Sequence, residues 1–197
     1  PSYRFLNLTH LLGEQNNVQD LEIKPTTLLF DLETTPLDAA RTEIHCLVIL
    51  DYETGETERY NDTGADQPIL NGVKYLMDAD TIIGHNIIGF DIPVLQRCYP
   101  FFEPRGVIVE TLLLSRLYHP DMLEIDRKRK VEGMPTKLYG RHSLESYGHR
   151  LGEYKGNFGE TSDWSHWSKE MEDYCEQDTI VTRKLCQHFH PYLIGSN

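Results

Sequence analysis

The amino-acid sequence predicts an α/β domain: a mixed five-stranded sheet flanked by helices. Two features of the chain carry this expectation. Its first third holds three segments rich in β-formers, two of them joined by the turn Glu53-Thr54-Gly55 as in a hairpin. From Pro68 onward, short apolar segments alternate with stretches of helical periodicity. A hairpin needs antiparallel neighbours and strand–helix–strand alternation supplies parallel ones, so one sheet must contain both.

The elements follow in order. Thr26–Glu33 reads as the first strand, Ile44–Tyr52 as the second and Glu56–Tyr60 as the third. Pro68–Met77 reads as a helix with Pro in its first turn, and Thr81–Gly84 as a short apolar strand. In the helix Phe90–Tyr99, the residues Phe90, Val94, Leu95 and Cys98 form an inward stripe. Val107–Val109 is the fifth strand and Thr111–Tyr118 a helix. A polar, basic connector leads to the helices Ser143–Leu151 and Ser168–Phe189. An RNase H-like layout satisfies this order. Residues 1–25 have weak periodicity and read as an N-terminal arm, 26–190 as the domain and 191–197 as a C-terminal tail. Position 1 is Pro rather than Met, so the chain reads as a fragment or a processed product.

A chain of 197 residues with 39% apolar and 25% charged residues can bury a core as a single domain. No apolar run reaches the roughly 20 residues of a membrane span, and no basic start followed by an apolar run suggests a signal peptide. The net charge of −12 argues against a protein that coats nucleic acid with a broad basic face. It permits an enzyme that grips a few nucleotides beside an acidic, cation-binding site. None of Cys46, Cys98, Cys175 and Cys186 forms a C-x-x-C pair. If Cys175 and Cys186 share a helix they stand about 16 Å apart, too far to bridge. Reduced thiols in a cytosol-like compartment are expected.

The chemistry lies in the acids. Asp31 and Glu33 are two apart on a strand and share a face, while Leu28, Phe30 and Leu32 cover the other. Ionised groups in the middle of an apolar strand are costly unless paired or bound to cations; the alternative is a strand end with exposed acids. Asp91 precedes Ile92-Pro93 and falls near a helix N-cap, where it could equally be a plain capping residue. On the last helix, Met171, Tyr174, Asp178, Val181 and Leu185 follow steps of three and four. Asp178 thus occupies a position the helix should keep apolar, and needs a metal ion, an Arg or a hydroxyl as partner. Together these carboxylates suit phosphodiester hydrolysis. Two divalent ions about 4 Å apart can generate the nucleophile and stabilise the leaving oxygen, and hard cations want oxygen ligands.

Asp31-Leu-Glu33 resembles the first exonuclease motif, D-x-E. Asn86-x-x-x-Phe90-Asp91 resembles the second, N-x-x-x-F-D, and Tyr174-x-x-x-Asp178 the third, Y-x-x-x-D. The ordered set, with tyrosine in the third motif, is that of the DEDDy branch of 3′→5′ exonucleases. Thr111–Leu117, Gly140–Glu153 and the final helix are similar to the exonuclease domain of family A DNA polymerases from short-tailed phages, from about Leu28 to about Phe189. Glu110 departs from the pattern, because relatives usually carry Asp before the Thr.

The resemblance implies a DnaQ-like exonuclease fold and a proofreading activity that releases nucleoside 5′-monophosphates. It implies two divalent cofactor ions, Mg²⁺ or Mn²⁺. Asp31 would bridge both, Glu33 and Asp178 would hold the ion that activates water, and Asp91 would support the second. Tyr174 would orient the nucleophile. Thr34 and Leu37 would contact the terminal nucleotide, and Asn86 and Phe90 would shape the groove. The implied partners are a single-stranded DNA 3′ end and a DNA polymerase domain or subunit, with no membrane, in the cytoplasm (the host's, if viral). Exoribonucleases of the RNase D type share the motif set, and a non-catalytic module that holds a polymerase or a single strand is the other alternative.

Other residues carry weaker signals. The block Arg127-Lys128-Arg129-Lys130, extended by Lys137 and Arg141, reads as a solvated loop or as a phosphate grip. Trp164 and Trp167 suit a core or staple role better than base stacking. The histidines lack zinc spacing, and Gly152–Gly159 reads as a surface loop without a phosphate-loop pattern.

Overall fold

The computed structural model describes residues 25–35, 42–64, 66–153 and 164–194. The sheet has the order β3-β2-β1-β4-β5. Its central strand β1 (Thr27–Thr34) pairs antiparallel with β2 (Ile44–Asp51), which pairs antiparallel with β3 (Thr57–Tyr60). On its other side β1 runs parallel to β4 (Thr81–Gly84), and β4 parallel to β5 (Val107–Glu110). The expected mixed five-stranded sheet is therefore present. The parallel pairs are joined through helices, as such connections require: α1 (Ile69–Asp78) precedes β4 and α2 (Asp91–Cys98) follows it.

The pleat of β1 divides the core in two. Leu28, Phe30 and Leu32 pack with Leu47, Ile49 and Tyr60 against Val73 and Leu76 of α1 and Val94 and Leu95 of α2. Leu29, one residue out of phase, belongs to the opposite layer with Leu50, Ile83 and Cys186. Each such apolar side chain, fully buried, contributes roughly 1.5–3 kcal/mol. The opposite layer is the long helix α6 (Lys169–Ile194), which lies across β1 and β2. Outside it stand α3 (Thr111–Tyr118), α4 (Met122–Arg129) and α5 (Leu144–Leu151), and Met122, Tyr147, Val181, Leu185 and Phe189 form the core between these elements. At the sheet edge, Arg59 of β3 ties α6 down through Glu172 (3.5 Å), Asp173 (2.6 Å) and Glu176.

Most boundaries differ from the sequence reading by a residue or two, as helix and strand ends do. Pro68 is the N-cap of α1 rather than part of its first turn, and α6 continues beyond Phe189. The larger difference is α4. The stretch read as a polar connector is a helix, with the basic block in its last turn and Lys130 closing it in the left-handed conformation. Its buried or half-buried positions are Met122, Ile125 and Asp126. One of those three is charged, so the apolar period is hidden. Asp126 is nevertheless buried, because Arg150 of α5 donates to it from Nε (2.9 Å) and Nη2 (2.7 Å) and Gly140 donates its N–H (2.7 Å).

The four cysteines are free. Among the described residues no helix is long and apolar enough to cross a membrane. The expected arm over 1–25, apart from Pro25, and most of the loop Gly152–Gly159 lie outside the described residues.

Candidate active site

Asp31 and Glu33 project from β1 on the side that α6 covers, not on the side of Leu28, Phe30 and Leu32. A bulge shapes this end of the strand. Glu33 pairs with Cys46 and Thr34 with Ile44, leaving His45 as the extra residue. Bulges of this kind redirect side chains beside functional sites. Here His45 Nε2 meets the carbonyl of Trp164 at 3.0 Å, fixing the segment that leads into α6.

Asp91 is the first residue of α2, and it is 3% exposed. The turn before it is built on Asn86, whose φ of 68° is left-handed, a conformation Asn tolerates better than most residues. The N–H groups of Gly89 and Phe90 return to the Asn86 carbonyl at 3.1 and 3.0 Å. Glu110, the N-cap of α3, accepts from the N–H groups of Asn86 (2.6 Å), Ile88 (3.1 Å) and Leu112 (3.0 Å). Its longer side chain thus fits the site, and one carboxylate holds both the turn that carries Asp91 and the start of α3.

Tyr174 and Asp178 lie one turn apart on α6. They share a cleft of about 1020 Å³ with Asp31, Glu33, Asp91, Asn86 and Phe90. Of the other residues singled out in the sequence, Thr34 is buried, its hydroxyl donates to the Thr35 carbonyl at 2.8 Å, and it is not among the residues lining this cleft. Leu37 lies outside the described residues. Trp164 and Trp167 pack against Cys46, Val48, Met171 and Cys175, and Trp164 also meets Tyr174 edge-on at 6.1 Å. Sequence reasoning did not bring out Arg116, His142 or Glu145, which line the cleft from α3, the segment before α5, and α5. No local motif marks them; they meet the acids only in three dimensions.

The electrostatics are those of crowded acids. Burial, then the charges of Glu33, Asp91 and Asp178, push Asp31 well above the usual carboxylate range. Burial and Asp178 raise Glu33 to about 9. Asp91 and Asp178 are each raised to about 7 by burial, against opposing hydrogen bonds from backbone N–H groups to Asp91 and from Tyr174 to Asp178. Burial and the neighbouring carboxylates raise Tyr174 too, so its phenol stays protonated. Such a set either takes up protons or takes up a cation.

The donor set fits a hard cation. Oxygens of Asp31 and Glu33 and the sulfur of Cys175 lie within 4.8 Å of one another. Cys175 is the misfit: its thiol donates to the Asp31 carbonyl at 3.3 Å and burial pushes it up, so it stays a thiol. Buried Asp91 Oδ1 has no hydrogen-bond partner. Carboxylate oxygens are what divalent cations such as Mg²⁺ select.

A protein family described as 3′-5′ exonuclease matches residues 9–194. The chain belongs to this family. The exonuclease domain is 33% identical over 184 residues to the DNA-directed DNA polymerases of Escherichia phage T7 and Enterobacteria phage T3. That match covers 81% of the domain, and the domain spans about a quarter (26%) of those polymerases. Among solved structures, Brucella melitensis NrnC superposes with a TM-score of 0.60 and 19% identity, covering 93% of the domain and 80% of NrnC. The zinc-bound Escherichia coli ExoI–ssDNA complex gives 0.54 and 16%, covering 87% and 42%. These likenesses establish the DnaQ-like, RNase H-like fold of the exonuclease domain. By family it is a hydrolase of phosphodiester bonds.

Proposed function

We propose that this domain removes nucleotides from the 3′ end of single-stranded DNA by metal-dependent hydrolysis, as the proofreading part of a DNA polymerase. The observation that carries the reading is the convergence of Asp31, Glu33, Asp91 and Asp178 on one cleft, each acid raised by burial and the first three also by neighbouring carboxylates. A non-catalytic module has no use for so costly a cluster.

The residues divide the work as follows. Asp31, Glu33 and Asp178 would hold a divalent ion, Mg²⁺ or Mn²⁺, beside the attacking water, and Asp31 and Asp91 would support a second. When bound, such ions lower the pKa of water and neutralise charge on the leaving oxygen. Tyr174, kept neutral by its surroundings, orients the water through its hydroxyl. Asn86 and Phe90 line the cleft beside Asp91 and shape the groove. By resemblance to the family, Thr34 and Leu37 would contact the terminal nucleotide. The products are nucleoside 5′-monophosphates. On this reading residues 26–190 are the catalytic unit, 1–25 an arm and 191–197 a tail.

The test is a nuclease assay on 5′-labelled single-stranded DNA and RNA with Mg²⁺, Mn²⁺ or EDTA, beside Asp31→Ala and Asp178→Ala. A metal-dependent ladder that shortens from the 3′ end of DNA and vanishes in both variants is expected. Preference for RNA would move the reading to an RNase D-like exoribonuclease. Inactivity of folded wild type with metal present would sink the catalytic reading.

A further inference from the structure

A second cavity, of about 160 Å³, shares no lining residue with the cleft of the acids. Arg129 from the last turn of α4, Arg150 from α5, His119 from the C-cap of α3 and His188 from α6 line it, with Tyr192 beside them. Arg150 is fixed in place. Its guanidinium lies 4.8 Å over the Tyr147 ring, and Asp126 accepts from its Nε and Nη2. Its remaining nitrogen, Nη1, is buried without a hydrogen-bond partner. A charged donor kept out of water with no acceptor is costly. Arg129 is exposed and has no ion-pair or hydrogen-bond partner among the described residues. Asp126 thus offsets one of the two cations and leaves the other uncompensated. The histidines do not form a metal site. Their Nε2 atoms are 3.0 Å apart and their ring centroids 5.3 Å. The larger distance is the smaller one plus little more than the two ring radii, so the nitrogens face each other along one line. That is the geometry of an N–H···N hydrogen bond. Two imidazoles on one ion would instead aim both lone pairs at a point beside that line, about 2 Å from each nitrogen. Burial, with Arg129 nearby, lowers both imidazoles, so the pair is neutral at neutral pH.

We propose that this cavity binds a small oxyanion of the phosphate class, held between Arg129 and Arg150. Such an anion supplies the acceptor that Arg150 Nη1 lacks and the counter-charge that Arg129 lacks. Guanidinium groups match phosphate oxygens in shape as well as in charge. Size narrows the class. Sites for drug-sized ligands occupy about 300–1,000 Å³, so a whole nucleotide does not fit inside, whereas a phosphoryl group with a water does. A cation is opposed by the two guanidinium groups, and an apolar ligand would leave Nη1 unmet. The basic block of the sequence is thereby divided: Arg129 lines this cavity, and Arg127, Lys128 and Lys130 do not. The site uses none of the acids of the cleft, so the inference stands apart from the nuclease reading.

The experiment titrates inorganic phosphate into the 197-residue chain near neutral pH, with EDTA to keep divalent ions out of the cleft and NaCl to hold ionic strength constant. Calorimetry reads affinity, and side-chain ¹H–¹⁵N spectra read the rings of His119 and His188. Saturable binding that moves both rings is expected. Arg129→Gln should weaken it roughly 10-fold, the loss of one charged hydrogen bond. Arg129→Lys, which keeps the charge but not the fork, should weaken it less. The double variant Arg127→Gln/Lys128→Gln removes more charge from the same helix end and should bind as wild type does. Melting temperatures in chloride alone check that each variant folds. Deoxythymidine 5′-monophosphate in a parallel titration separates two sources of the phosphoryl group. Equal affinity assigns free phosphate, and tighter binding, still weakened by Arg129→Gln, assigns the phosphate of a nucleotide whose remainder stays outside. No saturable binding, unmoved histidine rings, or an equal loss in the double variant overturns the site. Acetate binding as tightly as phosphate overturns the phosphate class. None of these outcomes touches the nuclease reading, which the strand-shortening assay decides.

Discussion

Glu110 Oε1 accepts the backbone N–H of Asn86 at 2.6 Å, and its second oxygen takes the N–H of Ile88 at 3.1 Å. An acid outside the three motifs therefore sets the turn that delivers Asp91. Glu110→Ala would leave these donors in a partly buried loop without their partner, at a cost of about 1–3 kcal/mol. The expected kinetic result is a fall in kcat and a higher Mg²⁺ requirement with KM for DNA little changed, because Asp91 shifts while the rest of the cleft does not. Glu110→Gln keeps one acceptor oxygen and should recover part of the rate. Steady-state kinetics across a Mg²⁺ titration checks this; a change confined to KM would refute it.

Asp126 and Arg150 form the most deeply buried ion pair among the described residues, with side chains 1% and 6% exposed. Removing one partner strands the other charge, so Arg150→Met should destabilise the fold by roughly 3–5 kcal/mol, and replacing both residues by apolar ones should cost less than the single change. Urea denaturation of the double-mutant cycle tests this; additive losses would contradict it. The pair also predicts acid sensitivity. Burial alone would raise Asp126, but hydrogen bonds from Arg150 and Gly140 bring it below its usual value. An acid whose folded pKa is depressed adds stability above its unfolded pKa and loses it as pH falls below about 4.

How much of this was legible in the sequence depended on whether each signal was local. The faces of β1 could be read because Leu28, Phe30 and Leu32 alternate with Asp31 and Glu33, and the strand period fixes which side each takes. The stripe through Met171, Tyr174 and Asp178 was readable for the same reason at helical spacing. Helix α4 was not, because Asp126 fills an inward position that periodicity expects to be apolar and the last turn is a run of exposed basic residues. Arg116, His142 and Glu145 escaped for another reason: they meet the acids only in the folded cleft, whereas the contiguous block Arg127–Lys130 that drew attention is not among the residues lining it.

The acids of the cleft should make the metal-free protein prefer low pH. Their folded pKa values are raised, Glu33 to about 9 and Asp91 and Asp178 to about 7. The sign is opposite to that of Asp126. An acid raised on folding contributes its stability fully below its unfolded pKa and loses it as pH rises through its folded one. In EDTA, melting temperature should therefore decline between about pH 4 and about pH 9. Saturating Mg²⁺ should reverse the decline, by about 2.7 kcal/mol at a hundredfold excess over Kd. Binding at neutral pH should release protons, measurable by calorimetry in buffers of different ionisation enthalpy. A melting temperature independent of Mg²⁺ at pH 8 would argue against cation binding at these carboxylates.

Tyr174 donates to Asp178 and stands among the acids with a phenol that stays protonated. If it orients the attacking water, Tyr174→Phe removes one hydrogen bond to a charged or developing-charge group, worth about 1.5–3 kcal/mol. That predicts a fall in kcat of roughly 10- to 100-fold. The ring remains, so its contact with Trp164 and the packing of α6 should survive, and KM for DNA and the melting temperature should stay close to wild type. Asp178 loses an interaction that lowers its pKa, so the acid limb of the pH–rate profile should also move to higher pH. Single-turnover kinetics over a pH series reads both effects. Wild-type kcat with an unmoved acid limb would show that the hydroxyl serves neither the water nor Asp178, and would leave Tyr174 as a packing residue.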